Sequence, residues 1–168
     1  MQDFVHLHVH TQYSLLDGQA SVARLVDKAM QNGMKGIAVT DHGNMFGIKE
    51  FTNYVNKKNS GPKGEIKDLK KRLVGIEAGS IECEDKEAEV AACKAKIVEA
   101  ENKLFKPIIG CEMYVARRTM DLKEGKQDQS GYHLIVLAKN ETGYHNLVKL
   151  VSHAWTRGYY MRPRTDRS

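Results

Sequence analysis

The sequence predicts an α/β fold in which short β-strands alternate with α-helices. Runs of aliphatic and β-branched residues, such as KGIAVT at 35–40, are typical of buried strands. Between the strands, Val22, Leu25, Val26 and Ala29 recur at helical spacing and predict an amphipathic helix. Strands that alternate with helices usually form a parallel sheet covered by helices. We therefore expect such a sheet, either open or closed into a barrel.

Each element is indicated by its own pattern. Ser21 is a suitable N-cap for the first helix, and Gly33 follows its expected end. The apolar runs PIIGCEMYV and YHLIVLA predict the third and fourth strands. The predicted strands are 3–9, 35–40, 107–115 and 132–138, and the predicted helices are 21–32, 46–56 and 142–155.

Residues 59–105 interrupt this alternation. Apolar residues there recur at steps of three and four in two stretches, with Gly79 and Ser80 between them: Ile66, Leu69, Leu73 and Ile76, then Val90, Cys93, Ile97, Ala100 and Leu104. We expect an antiparallel helical hairpin inserted between the second and third strands. Because its acidic and basic charges nearly cancel, a solvated spacer or a partner-docking arm is favoured over a nucleic-acid contact.

Composition excludes several classes of protein. Hydrophobic residues make up 41% and charged residues 28% of the 168 residues, so most of the chain is expected to fold. The longest aliphatic run, 134–138, is far shorter than the roughly 18 residues of a membrane helix. The N-terminus shows no secretory signal, and Cys83, Cys93 and Cys111 show no CxxC spacing. We expect a cytoplasmic protein without a membrane partner.

The positive charge is concentrated near the end of the chain. The sequence has 26 Lys and Arg against 21 Asp and Glu, a net charge of +5. The last residues, 157–168, contain Arg157, Arg162, Arg164 and Arg167 against a single Asp166. This segment is either a solvated basic tail or a phosphate-contacting segment.

Histidines mark the first predicted strand. His8 and His10 are two residues apart, so on a strand their side chains share one face, roughly 6–7 Å apart. Two imidazoles at that spacing can reach one metal ion or two adjacent ions, and we favour this over a set of hydrogen-bonded structural histidines. His6 lies nearer the start of the strand and is interpreted as structural.

Further candidate ligands follow other strands. The second predicted strand ends in Thr40-Asp41-His42-Gly43. Asp41 either orients the His42 side chain or serves as a turn residue, and we assign it as the catalytic candidate. Glu112 lies within an apolar strand, where an unpaired carboxylate is costly, unless it faces solvent at the strand end. His133 begins the fourth strand, and Asp17 is either a ligand or a turn former.

Together these residues form a set of nitrogen and oxygen donors without thiolate, which suits Zn²⁺, Mn²⁺ or Fe²⁺. The set is His8, His10, Asp17, His42, Glu112 and His133. So many ligands indicate two or three ions, and clustered divalent ions are suited to phosphoester hydrolysis. The sequence contains neither a Walker motif nor a GxSxG elbow, and Cys111 is interpreted as a core residue.

The motifs HLHVHT (6–11), TDHG (40–43), PIIGCEMYV (107–115) and YHLIVLAKNETGYHNLVKLVS (132–152) resemble the PHP (polymerase and histidinol phosphatase) domain family. More narrowly, FVHLHVHTQYSLLDG (4–18) resembles the N-terminus of the C-family replicative polymerases, the alpha subunits of bacterial DNA polymerase III. The resemblance covers most of the chain outside the predicted hairpin.

The resemblance implies a (β/α)₇ barrel with a metal cluster at the C-terminal edge of its strands. By position, the six ligands above match those of the family, although Asp17 stands where many PHP hydrolases have a histidine. It implies a DNA-directed DNA polymerase, a nucleotidyltransferase that uses Mg²⁺, whose PHP domain is associated with metal-dependent 3′–5′ exonuclease activity. DNA and replisome subunits, including a proofreading subunit, would be its partners.

The same resemblance leaves alternatives open. Residues 1–168 would be only the first part of the barrel, with its remainder and the polymerase domains expected beyond residue 168. The PHP portion could instead be a non-catalytic scaffold that metals stiffen and that docks a proofreading subunit. A free-standing PHP phosphatase acting on a small phosphate ester is the third possibility.

Overall fold

The structure is a computed structural model that describes residues 4–129 and 131–167. It divides into two compact units, one built from residues before 55 and after 105 and the other from Val55–Phe105. The helices are α1 (Val22–Gln31), α2 (Ile48–Lys58), α3 (Ser60–Glu77), α4 (Lys86–Asn102), α5 (Gly125–Gln129) and α6 (Glu141–Thr156). The strands are β1 (Gly36–Val39), β2 (Lys106–Ala116), β3 (Gly131–Leu137), β4 (Tyr159–Tyr160) and β5 (Arg162–Thr165).

The predicted α/β class is confirmed, and the described strands form an open sheet organised around β2. The first part of β2 pairs in parallel with β1, from Gly36 opposite Lys106 to Val39 opposite Ile109. Its last part pairs in parallel with β5, and β4 pairs antiparallel with β5. None of the helices that the structure describes is long and apolar enough to cross a bilayer.

The expectation of a wholly parallel sheet is wrong at β3. This strand runs antiparallel to β2, with Gly110 opposite Leu137 and Ala116 opposite Gly131. Parallel neighbours need a crossover that packs back on the sheet, usually through a helix of several turns. The connection here carries only the five-residue α5, so the chain reverses direction instead.

The predicted first strand, 3–9, is also wrong for the residues that the structure describes, and Asp3 lies outside them. Residues 4–9 are not a regular strand, because the chain bends at Leu7 and His8. The segment still follows β1 through two backbone hydrogen bonds, from Ala38 N to His6 O and from Thr40 N to Val9 O. Between them, Val9 N donates to the Thr40 hydroxyl rather than to a backbone carbonyl.

The basic segment 157–168 is not simply a solvated tail, since β4 and β5, which were not predicted, lie within it. Arg164 is 1% exposed and donates to the carbonyls of Met120 and Asp128 at 2.8 and 2.9 Å. Arg157 forms an ion pair with Asp121. The buried Arg164 is therefore used in holding the fold, whereas the ion pair of Arg157 lies on the surface.

The other predicted elements are confirmed. The helix predicted at 21–32 is α1, and its N-cap Ser21 accepts a hydrogen bond from Arg24 N. The strands predicted at 35–40, 107–115 and 132–138 correspond to β1, β2 and β3. The helices predicted at 46–56 and 142–155 correspond to α2 and α6. One face of β2 packs on α6 through Cys111, Met113, Leu147 and Ala154.

The second unit contains the two helices predicted within 59–105. The turn after α3 includes Gly79 at φ +74°, and α4 begins at the N-cap Asp85, which accepts from Ala88 N. Ile76, Cys93 and Ile97 are buried between the helices, as their spacing indicated. Asn59 joins the two ends of the hairpin, since its side chain exchanges two hydrogen bonds with the backbone of Phe105.

Candidate metal centre

Successive side chains of β2 point alternately to the packed core and to a polar cluster on the opposite face. Cys111 points toward α6, so Glu112 and Tyr114 point to the opposite face of the strand. The antiparallel register sets His133 of β3 directly opposite Tyr114. On the β1 side, a parallel bridge sets His42 beside Glu112. Backbone pairing alone therefore brings two imidazoles to the carboxylate.

The Glu112 carboxylate is the centre of this cluster. Its Oε2 lies 2.9 Å from His8 Nε2 and 2.6 Å from His10 Nε2, and its Oε1 lies 3.0 Å from His133 Nδ1. The Nε2 atoms of His8 and His10 are 3.3 Å apart. Glu112 is only 5% exposed, whereas His8 and His133 are exposed, so the cluster opens to solvent on its imidazole side.

His42 connects Asp17 to the same cluster. Its Nδ1 lies 2.9 Å from Asp17 Oδ2, and its ring centroid is 4.5 Å from that of His133. The ring also stacks on Tyr114, with centroids 4.2 Å apart and planes 15° apart. Among the residues that the structure describes, nothing hydrogen-bonds to the buried Nε2 of His42.

The electrostatics keep both cluster carboxylates ionised. Burial raises the pKa of Glu112, but hydrogen bonds with His8 and His10 and the charge of His42 outweigh it, so its pKa lies below the usual value. The hydrogen bond with His42 likewise lowers the pKa of Asp17. Ionised carboxylates are the form that binds divalent cations.

Asp41 lies apart from these contacts. Its carboxylate is 1% exposed and accepts from Thr11 N at 2.6 Å and from Thr11 Oγ1 at 2.9 Å. Burial raises its pKa above the usual value. The carboxylate bonded to the His42 ring is that of Asp17, so the predicted orienting contact from Asp41 to His42 is wrong. Asp41 instead fixes the segment that carries His10 by a contact across thirty residues of sequence, which is neither the orienting role nor the turn role expected for it.

The donor set fits divalent metal ions. The described residues include two groups of donor atoms, and within each group the atoms lie within 4.8 Å of one another: His8, His10 and Glu112 form one, and His42, Glu112 and His133 form the other. Imidazole and carboxylate donors suit Zn²⁺, Mn²⁺ or Fe²⁺. The unpartnered His42 Nε2 also calls for a ligand, because a buried polar atom without a partner is costly.

Comparison with known sequence families gives a match over almost the whole chain. The profile of the PHP domain matches residues 6–168. This chain belongs to the PHP domain family. The open sheet around β2 is consistent with part of a PHP barrel, and the cluster described above lies within the matched residues.

The PHP match is accompanied by similarity to replicative polymerases. "DNA polymerase III subunit alpha" of Borreliella burgdorferi is 39% identical over 167 residues, which cover 98% of this chain and 10% of that protein. The protein of the same name from Treponema pallidum is 40% identical over 164 residues, and that from Aquifex aeolicus is 33% identical over 171. The chain spans about one-tenth of the length of these curated relatives.

Three residues that support the cluster were not identified from the sequence. Thr11 binds Asp41, and Ser14 Oγ accepts from His42 N at 3.1 Å while facing Asp17 Oδ2 at 3.5 Å. Tyr114 provides the ring on which His42 stacks. The position of Tyr114 two residues after Glu112, on the same face of a strand, is a signal that could have identified it.

Proposed function

We propose that this chain is the N-terminal PHP portion of a replicative DNA polymerase alpha subunit. We further propose that its cluster binds two or three divalent ions and hydrolyses phosphodiesters as a 3′–5′ exonuclease. The similarity of nearly the whole chain to alpha subunits supports the parent polymerase. The metal-dependent activity rests on one observation, which is that Glu112 belongs to both donor groups. A carboxylate shared in this way is suited to bridging two ions.

The side chains that would hold the ions come from both sides of β2: His8, His10, Asp17, His42, Glu112 and His133. Divalent ions supply a bound water of lowered pKa and stabilise negative charge on phosphate oxygens. In exonucleolytic hydrolysis, the oxygen of water bonds to the terminal phosphorus. The bond from phosphorus to the preceding 3′ oxygen then breaks, and that oxygen takes a proton, so a nucleoside 5′-monophosphate is released.

The chain's own residues position this cluster. Asp41 holds Thr11 through two hydrogen bonds and thereby fixes the backbone next to His10. Tyr114 fixes the plane of the His42 ring by stacking. We further propose that the whole protein is cytoplasmic, uses Mg²⁺ for polymerisation, and binds DNA and other replisome subunits, including a proofreading subunit.

Metal analysis of the full-length protein tests the proposal. The protein is purified without chelators, and its transition metals are measured by elemental analysis alongside degradation of single-stranded DNA and primer extension. We expect two or three ions per chain. The double variant His8→Ala/His10→Ala should lose metal and nuclease activity and retain primer extension, because these imidazoles belong to one donor group.

A matched histidine variant controls for general effects of substitution. His145 lies on α6 and is 64% exposed at its side chain, where it faces Glu141 rather than the cluster. His145→Ala should keep wild-type metal content and nuclease activity. Less than one ion per chain in the wild-type protein, or equal metal loss in both variants, would contradict the metal centre.

A docking role is the second candidate, and the second unit favours it. Val74 and Val98, on α3 and α4, are 64% and 56% exposed, and aliphatic side chains of this kind are available for contact with a protein partner. In this case metals would only stiffen the PHP fold. Chelation would then lower the melting temperature of the full-length protein, and single-stranded DNA would remain intact in the presence of metal.

A further inference from the structure

A cavity lined by aromatic and apolar side chains lies directly beside the cluster. It has a volume of about 430 Å³, within the range of ligand pockets, and Asp17, His42 and Tyr114 form part of its wall. The rest of the wall includes Phe46, Trp155, Tyr159, Leu16 and Met161. We call this space the aromatic cavity. Because it shares His42 and Asp17 with the cluster, a molecule that occupies it also reaches the donor atoms.

The aromatic side chains of this cavity are arranged for stacking. The rings of Trp155 and Tyr159 are parallel to within 18°, with centroids 5.6 Å apart. The indole of Trp155 is fixed by its hydrogen bond to Gly43 O at 2.8 Å. Phe46 and Tyr159 are 68% and 48% exposed, so the residues that the structure describes leave flat ring surface uncovered. Accessible aromatic rings are the surfaces on which proteins stack the bases of single-stranded nucleic acids.

Backbone strain is concentrated at the same cavity. Among the described residues, Leu16 and Met161 are the two residues other than glycine with positive φ, at 72° and 62°. Both line the cavity, and both side chains are largely exposed, at 106% and 67%. Within residues 4–129 and 131–167, neither side chain gains packing in return for this conformation, and strained backbone of this kind clusters at active sites, ligand-binding segments and switch regions.

Positive charge flanks the cavity and the cluster. Arg162 lines the cavity and donates to the Tyr114 hydroxyl at 2.7 Å, which leaves most of its guanidinium N–H groups available. No carboxylate forms an ion pair with it within the part of the chain that the structure describes. Arg24 lies on the other side, in an open cavity of about 960 Å³ that His8, His10 and Asp17 also line. The donor atoms therefore lie between two arginines that can contact phosphates.

We propose that the aromatic cavity binds the 3′-terminal nucleoside of a single DNA strand. The terminal base stacks on Phe46 and Tyr159, the last phosphodiester lies at the cluster, and the preceding phosphates run toward Arg24. This inference rests on the proposed function and specifies its substrate. A protein segment covering the cavity would bury the apolar rings, but it would not call for a guanidinium on each side of the donor atoms.

The experiment uses the full-length protein and a single-stranded oligonucleotide with 2-aminopurine as its 3′-terminal base and a phosphorothioate as its last linkage, which slows hydrolysis. Stacking quenches 2-aminopurine, so binding should reduce its fluorescence. Phe46→Ala and Tyr159→Ala should each weaken binding about tenfold and reduce the quenching, because each removes one stacking surface. Tyr159→Phe keeps the ring and should restore both.

Tyr132→Ala is the matched control, because Tyr132 is an aromatic residue with 62% exposure that lies on β3 outside the cavity lining. It should bind and quench as the wild-type protein does. Comparison between variants separates the cavity from other DNA-binding surfaces of the full-length protein. The inference would be overturned if both cavity variants bind and quench as the wild-type protein does. It would also be overturned if the cavity variants melt at a lower temperature and quench normally, because that result indicates that a protein segment covers the cavity.

Metal content and DNA degradation are measured on the same samples. A wild-type protein without metal or nuclease activity would refute the proposed function, while the fluorescence would still decide whether the cavity stacks a terminal base. A protein that binds metal and degrades DNA, with cavity variants that quench normally, would refute only the cavity assignment.

Discussion

Replacing Arg164 by Met should loosen the end of the described chain. The guanidinium is 1% exposed and donates to four carbonyls, at 3.1 Å to Gly158, 2.9 Å to Asp128, 2.8 Å to Met120 and 3.1 Å to Leu122. A hydrogen bond to a charged group contributes about 1.5–3 kcal/mol. If water replaces two of the four hydrogen bonds when the segment opens, the other two still stabilise the closed segment by about 3 kcal/mol. Removing them should therefore raise the equilibrium constant for opening roughly 100-fold.

Hydrogen–deuterium exchange on the full-length protein measures this opening directly. Peptides covering residues 116–129 and 158–166 should exchange roughly 100-fold faster in Arg164→Met than in the wild-type protein. Arg167→Met is the control, because Arg167 is exposed and a surface substitution changes stability by less than about 0.5 kcal/mol. Equal protection in the two variants would show that the buried guanidinium does not hold this segment, and the reasoning from its four contacts would fail.

Three further predictions concern the shared ligand Glu112, the buried thiol of Cys111 and the ion pair of Asp128. Glu112→Gln should remove metal from both donor groups together, and elemental analysis that shows loss from only one would contradict a shared ligand. Cys111, whose pKa burial raises to about 12, should resist iodoacetamide near pH 8 while Cys83 reacts, as peptide mass mapping would show. The hydrogen bond from Arg118 lowers the pKa of Asp128, so its stabilisation is present above the unfolded pKa of about 3.9 and lost as pH falls through the lower folded value. Exchange protection of residues 117–129 should therefore hold from about pH 7 to 5 and decrease below about pH 3.9.

The cluster could be anticipated from the sequence where a single element explains it. Glu112 is a carboxylate within an apolar run, and a strand period of two already separates it from Cys111. His42, which follows the parallel strand β1, could be expected near it because the carboxyl ends of parallel strands meet at one edge, whereas His133 reaches it from near the start of the antiparallel strand β3. The structure does bring these side chains together, and their binding of metal remains a prediction.

The features that sequence reasoning missed depend on tertiary contacts. The four residues of β5, RPRT, show no apolar alternation, and they form a strand because Arg164 finds carbonyls on two other segments. The hydrogen bond of His42 with Asp17 rather than Asp41 likewise depends on loop geometry. The sequence does not distinguish the two, because both are aspartates near an expected turn. The bend at Leu7 breaks an alternating pattern that by itself indicates a strand.

The register of β3 is the feature on which the cluster depends most. His133 reaches Glu112 because it lies opposite Tyr114, on the same face of the sheet. A slip of one residue would turn His133 to the other face and expose Val136, which packs on the core. The apolar contacts of Val136 with the Cys111 face therefore hold His133 at the cluster. Thus the packing of one face of β2 determines the donor atoms available on the other.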